Sequence, residues 1–139
     1  MGMRETLTKN QVHVLEKLER ASGPLSAYTL LDQLRDQGFR APLQVYRALD
    51  TLVKGGFVHR LESLNAFVAC ADQHDHGGHA HEAGMTAFAI CDKCGQVTEL
   101  SDAEIGERLE EWVGASGFVA KRAVIEFRGL CANCAALAA

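Results

Sequence analysis

Four of the five cysteines form two matched pairs, Cys91 with Cys94 and Cys131 with Cys134. Two residues separate the sulfurs within each pair, and 36 residues separate the pairs. The C-x-x-C spacing lets two thiolates reach one ion from a tight turn, and two such pairs complete a tetrahedral all-thiolate shell for Zn(II). Both contexts have the composition of zinc knuckles: I-C-D-K-C-G over 90–95 and L-C-A-N-C over 130–134. The competing chemistry is two disulfides, or thiols that merely pack. No signal peptide opens the chain, so a reducing, cytoplasmic setting is expected, where disulfides are disfavoured. The expectation is a structural zinc held by Cys91, Cys94, Cys131 and Cys134.

The elements that must carry these residues are legible in outline. Thr8 with Gln11 three residues on has the form of a capping box, followed by Val12, Leu15 and Leu18 at helical spacing. Ser22-Gly23-Pro24 stops this helix, and Ser26 caps a second whose buried stripe is Leu30, Leu31 and Leu34, ending at Gly38. Pro42 opens a third, with Val45, Leu49, Leu52 and Val53 inward, up to Gly55-Gly56. Two short β-like runs follow, Phe57 to Leu61 and Ala66 to Cys70, joined at Ser63-Leu64-Asn65. Three short helices and a hairpin are the plan of a winged helix-turn-helix. Residues 71–85 form a polar linker containing His74, His76, His79 and His81. Thr86 to Ile90, Gln96 to Leu100 and Phe118 to Phe127 then read as strands, with a helix from Asp102 to Val113 capped by Ser101 and Glu104. The fold class expected is α+β: a winged-helix domain over 1–70, a His-rich hinge over 71–85, and a small α/β domain over 86–139. A domain this small builds a thin core, which a metal staple can reinforce.

Charge agrees with that division. The net charge is −4, yet residues 1–65 carry 9 Lys and Arg against 7 Asp and Glu, a balance of +2, and the remainder carry 5 against 11, or −6. The first half can therefore present a basic patch that the whole-chain value conceals. On the third helix, packing of Val45, Leu49 and Leu52 leaves Gln44, Arg47, Thr51 and Lys54 as candidates for a DNA groove. Arg47 is the foremost, because a guanidinium can bridge guanine O6 and N7. Tyr46 is placed near the DNA backbone, or packs on the core with its hydroxyl exposed, and Arg60 of the wing is a candidate phosphate contact. No apolar run approaches the ~20 residues of a membrane span. Taken singly, His59, Cys70, Glu99 and the linker histidines each admit a bland reading, as solvated or packed side chains.

Together the segments Val45-Tyr46-Arg47-Ala48-Leu49 and Gly56-Phe57-Val58-His59-Arg60, the Cys70 that ends the wing, the His-rich linker and the paired knuckles resemble the ferric-uptake-regulator (Fur) family of metal-sensing repressors, and within it the zinc-responsive branch. The similarity runs from about Thr8 to Cys134. It implies a homodimer, assembled through the C-terminal sheet, that binds a palindromic operator in double-stranded DNA, with Tyr28 of the second helix also reaching the DNA. It further implies a second, regulatory zinc held by His59, Cys70, Glu99 and a linker histidine, His81 or alternatively His79, making two Zn(II) per chain. One departure is Leu43-Gln44, where the family usually has a Ser or Thr. The third metal site of some relatives needs a histidine in the last strand, where this chain has Lys121-Arg122-Ala123, so that site is expected to be absent or incomplete. A thiolate-containing tetrahedral site favours Zn(II) over the iron, manganese or peroxide sensing of other branches. Four protein ligands leave no open position for a catalytic water, so neither an enzyme nor a small-molecule substrate is expected.

Overall fold

The computed structural model describes residues 5–70, 85–121 and 123–138. They form two compact units, one before and one after the His-rich segment.

The first unit begins with helix α1 (Lys9–Arg20). Gln11 N–H donates to Thr8 Oγ1 at 3.3 Å and Thr8 N–H donates to Gln11 Oε1 at 2.9 Å. Two donors that the helix start leaves over are thereby satisfied. Val14, Leu15 and Leu18 form the buried stripe, while Val12 is only half-buried. At ~100° per residue Val12 lies roughly 110° round from the centre of that stripe. Ser26 caps α2 (Ala27–Gln33), accepting from Thr29 N–H at 3.1 Å. A 3-10 turn over Arg35–Gln37 then closes at Gly38, whose φ of 94° is left-handed. Helix α3 (Pro42–Lys54) buries Val45, Ala48, Leu49 and Leu52, with Val53 at the margin. The three helices converge on Leu15, Leu30, Leu49, Leu52, Phe39 and Phe57, all nearly out of water. Each such side chain contributes ~1.5–3 kcal/mol of apolar burial.

The wing is the antiparallel pair β1 (Val58–Leu61) and β2 (Ala66–Ala69), with Asn65 at φ 49° in the turn. A lone hairpin is marginal in water. This one is hooked to the helices by reciprocal bonds between Leu25 and Phe67, at 3.0 and 2.8 Å.

The second unit runs β3 (Met85–Cys91), β4 (Val97–Leu100), α4 (Ala103–Gly114), β5 (Ala123–Gly129) and α5 (Ala132–Ala138). Its sheet has the order β4-β3-β5, with β3 antiparallel to β4 and parallel to β5. The β-β-α-β order matches expectation, but four details differ. Met85, expected in the linker, is the first residue of β3. The last strand begins at Ala123 rather than Phe118, because the register with β3 starts at the Met85–Ala123 pair. Asp102, not Ser101, caps α4, its carboxylate accepting from Ile105 N–H at 3.1 Å. Helix α5 was not expected, although its Ala-rich sequence has high helix propensity. Among the described residues, no helix is long and apolar enough to cross a membrane.

Candidate metal centres and nucleic-acid interface

Parallel pairing is what brings the two cysteine pairs together. Because β3 and β5 run the same way, with Cys91 beside Gly129, both chains leave the sheet at the same end. Antiparallel strands of seven residues would put the knuckles about 20 Å apart. Cys91 ends β3, Cys94 follows in the turn, Cys131 precedes α5, and Cys134 lies in its first turn. Gly95, at φ 79°, permits the sharp return in which its N–H donates to Cys91 O at 3.0 Å and Cys91 N–H donates to Gln96 O at 2.9 Å. Asp92 N–H donates to Gly129 O at 2.7 Å, and the Arg128 guanidinium grips Asp92 Oδ1 at 2.6 and 2.7 Å. This ion pair clamps one knuckle to the other. The chain order offered no signal for it, since its members stand 36 positions apart in sequence.

All four sulfurs lie within 4.8 Å of one another, and Cys94 Sγ is 3.8 Å from Cys131 Sγ. A tetrahedron with Zn–S bonds of ~2.3 Å has S···S edges of about 3.8 Å. A disulfide needs ~2.05 Å, and all the cysteines are free thiols. The donor set therefore fits Zn(II). Proton affinities within the cluster diverge. The backbone N–H of Cys94, then that of Cys131, pulls Cys91 down to about 6. The hydrogen bond with the Cys131 thiol, then burial and the Cys91 and Cys94 thiols, push Cys134 up to about 12. Cys94 also moves up: the Gln96 N–H favours its thiolate, but Cys91, desolvation and Cys131 outweigh it. Thiols this close cannot all ionise by themselves, and a divalent cation is what lets four thiolates coexist.

His59 and Cys70 form a second arrangement, on the wing. His59 pairs with Val68, and Cys70 N–H donates to Phe57 O at 2.8 Å. Side chains alternate across the hairpin, so His59 and Cys70 are diagonal neighbours on one face. Their ligand atoms lie within 4.8 Å, and Cys70 is 1% exposed. In the second unit Glu99 pairs with Phe88 and shares the half-buried face of β4 with Val97. An acidic side chain on that face is not simply solvated. His79 and His81 lie outside the described residues, as does Arg122 of the expected third-site gap.

On α3, Leu43, Tyr46 and Arg47 are exposed, on the side opposite the packed stripe. Tyr28 of α2 is 67% exposed. Tyr46 is 42% exposed and is not among the residues of the first unit's buried cluster. Gln44 departs from its expected place in the groove. It is half-buried, and its Oε1 accepts from Arg40 N–H at 2.6 Å and Ala41 N–H at 3.1 Å. Ala41 at the N-cap has no side chain able to cap, so Gln44 serves instead. Arg60 is held by Asn65 Oδ1 at 3.1 Å and Glu62 at 3.7 Å, which extends it along the wing.

Known proteins resemble this chain along most of its length. The chain is 40% identical to the zinc uptake regulation protein of Escherichia coli over 131 residues, which span 92% of this chain and 72% of that protein. The crystal structure of holo XcZur matches with a TM-score of 0.82 and 43% identity, over 94% of this chain and 86% of that one. A zinc uptake regulator complexed with zinc and DNA matches at 0.81 and 36%, over 94% and 84%. The model of the ferric uptake regulator family aligns with residues 1–128, through both units and into the last strand, and the chain belongs to that family.

Proposed function

We propose that this chain is a zinc-responsive transcriptional repressor, a homodimer that binds palindromic operators of zinc-uptake genes when zinc is plentiful. The observation that carries the reading is the His59–Cys70 pair on the wing, a nitrogen and a sulfur ligand built into the DNA-binding unit itself. In this reading His59 and Cys70 share a regulatory zinc with Glu99 and a linker histidine, His81 or else His79. The four cysteines hold a separate structural zinc, for two zinc ions per chain. The relatives that carry zinc and DNA in their names support the same conclusion.

The ligands of the regulatory site come from both units and from the segment between them, so closing on one ion fixes the angle between the units. In a dimer that angle sets the separation of two recognition helices, and only one separation matches half-sites on one face of the duplex. Zinc thus favours the DNA-competent conformers, and DNA reciprocally tightens zinc. A coupling of ~1–3 kcal/mol per site gives about 5–150-fold in affinity. The structural site, a closed shell of thiolates, does not switch. Dimerisation accounts for Trp112, Phe118, Phe127 and Leu137, apolar side chains of the second unit that stand largely in solvent. A thiolate among the regulatory ligands disfavours iron or manganese. The reading assigns no catalytic role to any residue.

Native mass spectrometry before and after mild chelation tests the metal assignment. Two zinc ions per chain should fall to one, with the dimer intact. A single zinc throughout, or loss of both ions together, would defeat it.

A further inference from the structure

Leu43 occupies the second position of α3, is 56% exposed, and has no packing role in the core of the first unit. At ~100° per residue it lies within about 40° of Arg47 and diametrically across the helix from Val45, Leu49 and Leu52. Tyr46 flanks the same strip. The capping bonds of Gln44 fix the backbone on which Leu43 stands. One turn further along the strip, Asp50 is paired with Lys54 at 3.2 Å, so the later turns present a neutralised ion pair. The first two turns are therefore the part fitted to read bases, as is usual for a recognition helix. A leucine there has no donor or acceptor. The one apolar feature that a major groove offers is the C5-methyl group of thymine.

Resting on the repressor reading above, we propose that Leu43 is a specificity-determining residue. Its side chain packs on the C5-methyl of a thymine near the base that Arg47 contacts.

Deoxyuridine scanning tests the proposal, since uracil pairs like thymine but lacks the methyl. Double-stranded DNA is first selected from random sequence by the zinc-loaded full-length protein. Each thymine of a half-site is then replaced in turn. At one position the wild type should bind about fourfold more weakly, the value of one buried methyl(ene). Leu43→Ala should bind the thymine duplex more weakly by at least that factor and be indifferent to the replacement at that position alone. Leu43→Met, which keeps apolar contact, should restore the discrimination. If Leu43→Ala keeps every uracil penalty of the wild type, or no thymine methyl matters, the inference is overturned, and the exposed leucine is left to contact a protein. Failure to select any zinc-dependent duplex would instead sink the repressor reading, and this inference with it.

Discussion

Gln44→Ala separates capping from base reading more cleanly than any other change in α3. The Gln44 Oε1 accepts from two backbone donors, Arg40 N–H and Ala41 N–H, at the open start of the helix. Both bonds are exposed, so water replaces them on truncation and the full price of a buried orphan is not incurred. The loss is that of a cap, about 1 kcal/mol within a range of ~0.5–2. For a unit of roughly 65 residues that corresponds to a fall of about 4–8 °C in melting temperature. Hydrogen exchange on the zinc-loaded variant should show faster exchange at Arg40, Ala41 and the first turn of α3. Affinity for DNA should weaken similarly for every operator variant. Ala41→Ser in the Gln44→Ala background, which puts a capping hydroxyl at the N-cap, should recover most of the stability. Unchanged stability combined with lost discrimination at a single base pair would refute the capping argument and return Gln44 to the groove.

Two further outcomes follow from the same geometry. Arg47→Ala should cost about 1–3 kcal/mol in specific binding and leave zinc content unaltered; equal discrimination between operator and random DNA in variant and wild type would remove Arg47 from the reading surface. Cys134→Ser should unfold the second unit and leave the first folded. Phe88 and Ile90 are the only large apolar side chains buried among the described residues of the second unit, and they supply ~3–6 kcal/mol, against ~10–16 kcal/mol of apparent binding for a structural zinc. Hydrogen-exchange protection retained over residues 85–138 would show that the sheet does not depend on the metal.

Local signals were readable in the chain wherever one residue acts on its near neighbours. Thr8 with Gln11 and Ser26 mark helix starts through bonds spanning three residues, and Pro42 marks one by its fixed φ and missing N–H; all three starts lie where that chemistry puts them. The cysteine pairs were legible for the same reason, since two residues of spacing already define a chelating turn. What escaped depends on contacts far apart in sequence. The parallel register of β3 with β5 decides where the last strand begins and makes the Asp92–Arg128 clamp possible, yet no local pattern encodes it. The capping role of Gln44 is not legible in helix periodicity, which puts it beside the exposed strip; an alanine at the N-cap is what turns its side chain back to the helix end. Glu99 shows the converse. Alternation on a short strand cannot say which face is covered, and the pairing with Phe88 can.

If the proposed regulatory ion, with Cys70 among its ligands, controls DNA affinity, titrating operator binding of Cys70→Ser with zinc will show it. The prediction is a folded dimer that retains one zinc per chain and binds operator no better with zinc than without. Zinc-dependent binding equal to that of the wild type would contradict the claim, and unfolding of the variant would show that the two metal sites had been assigned the wrong way round.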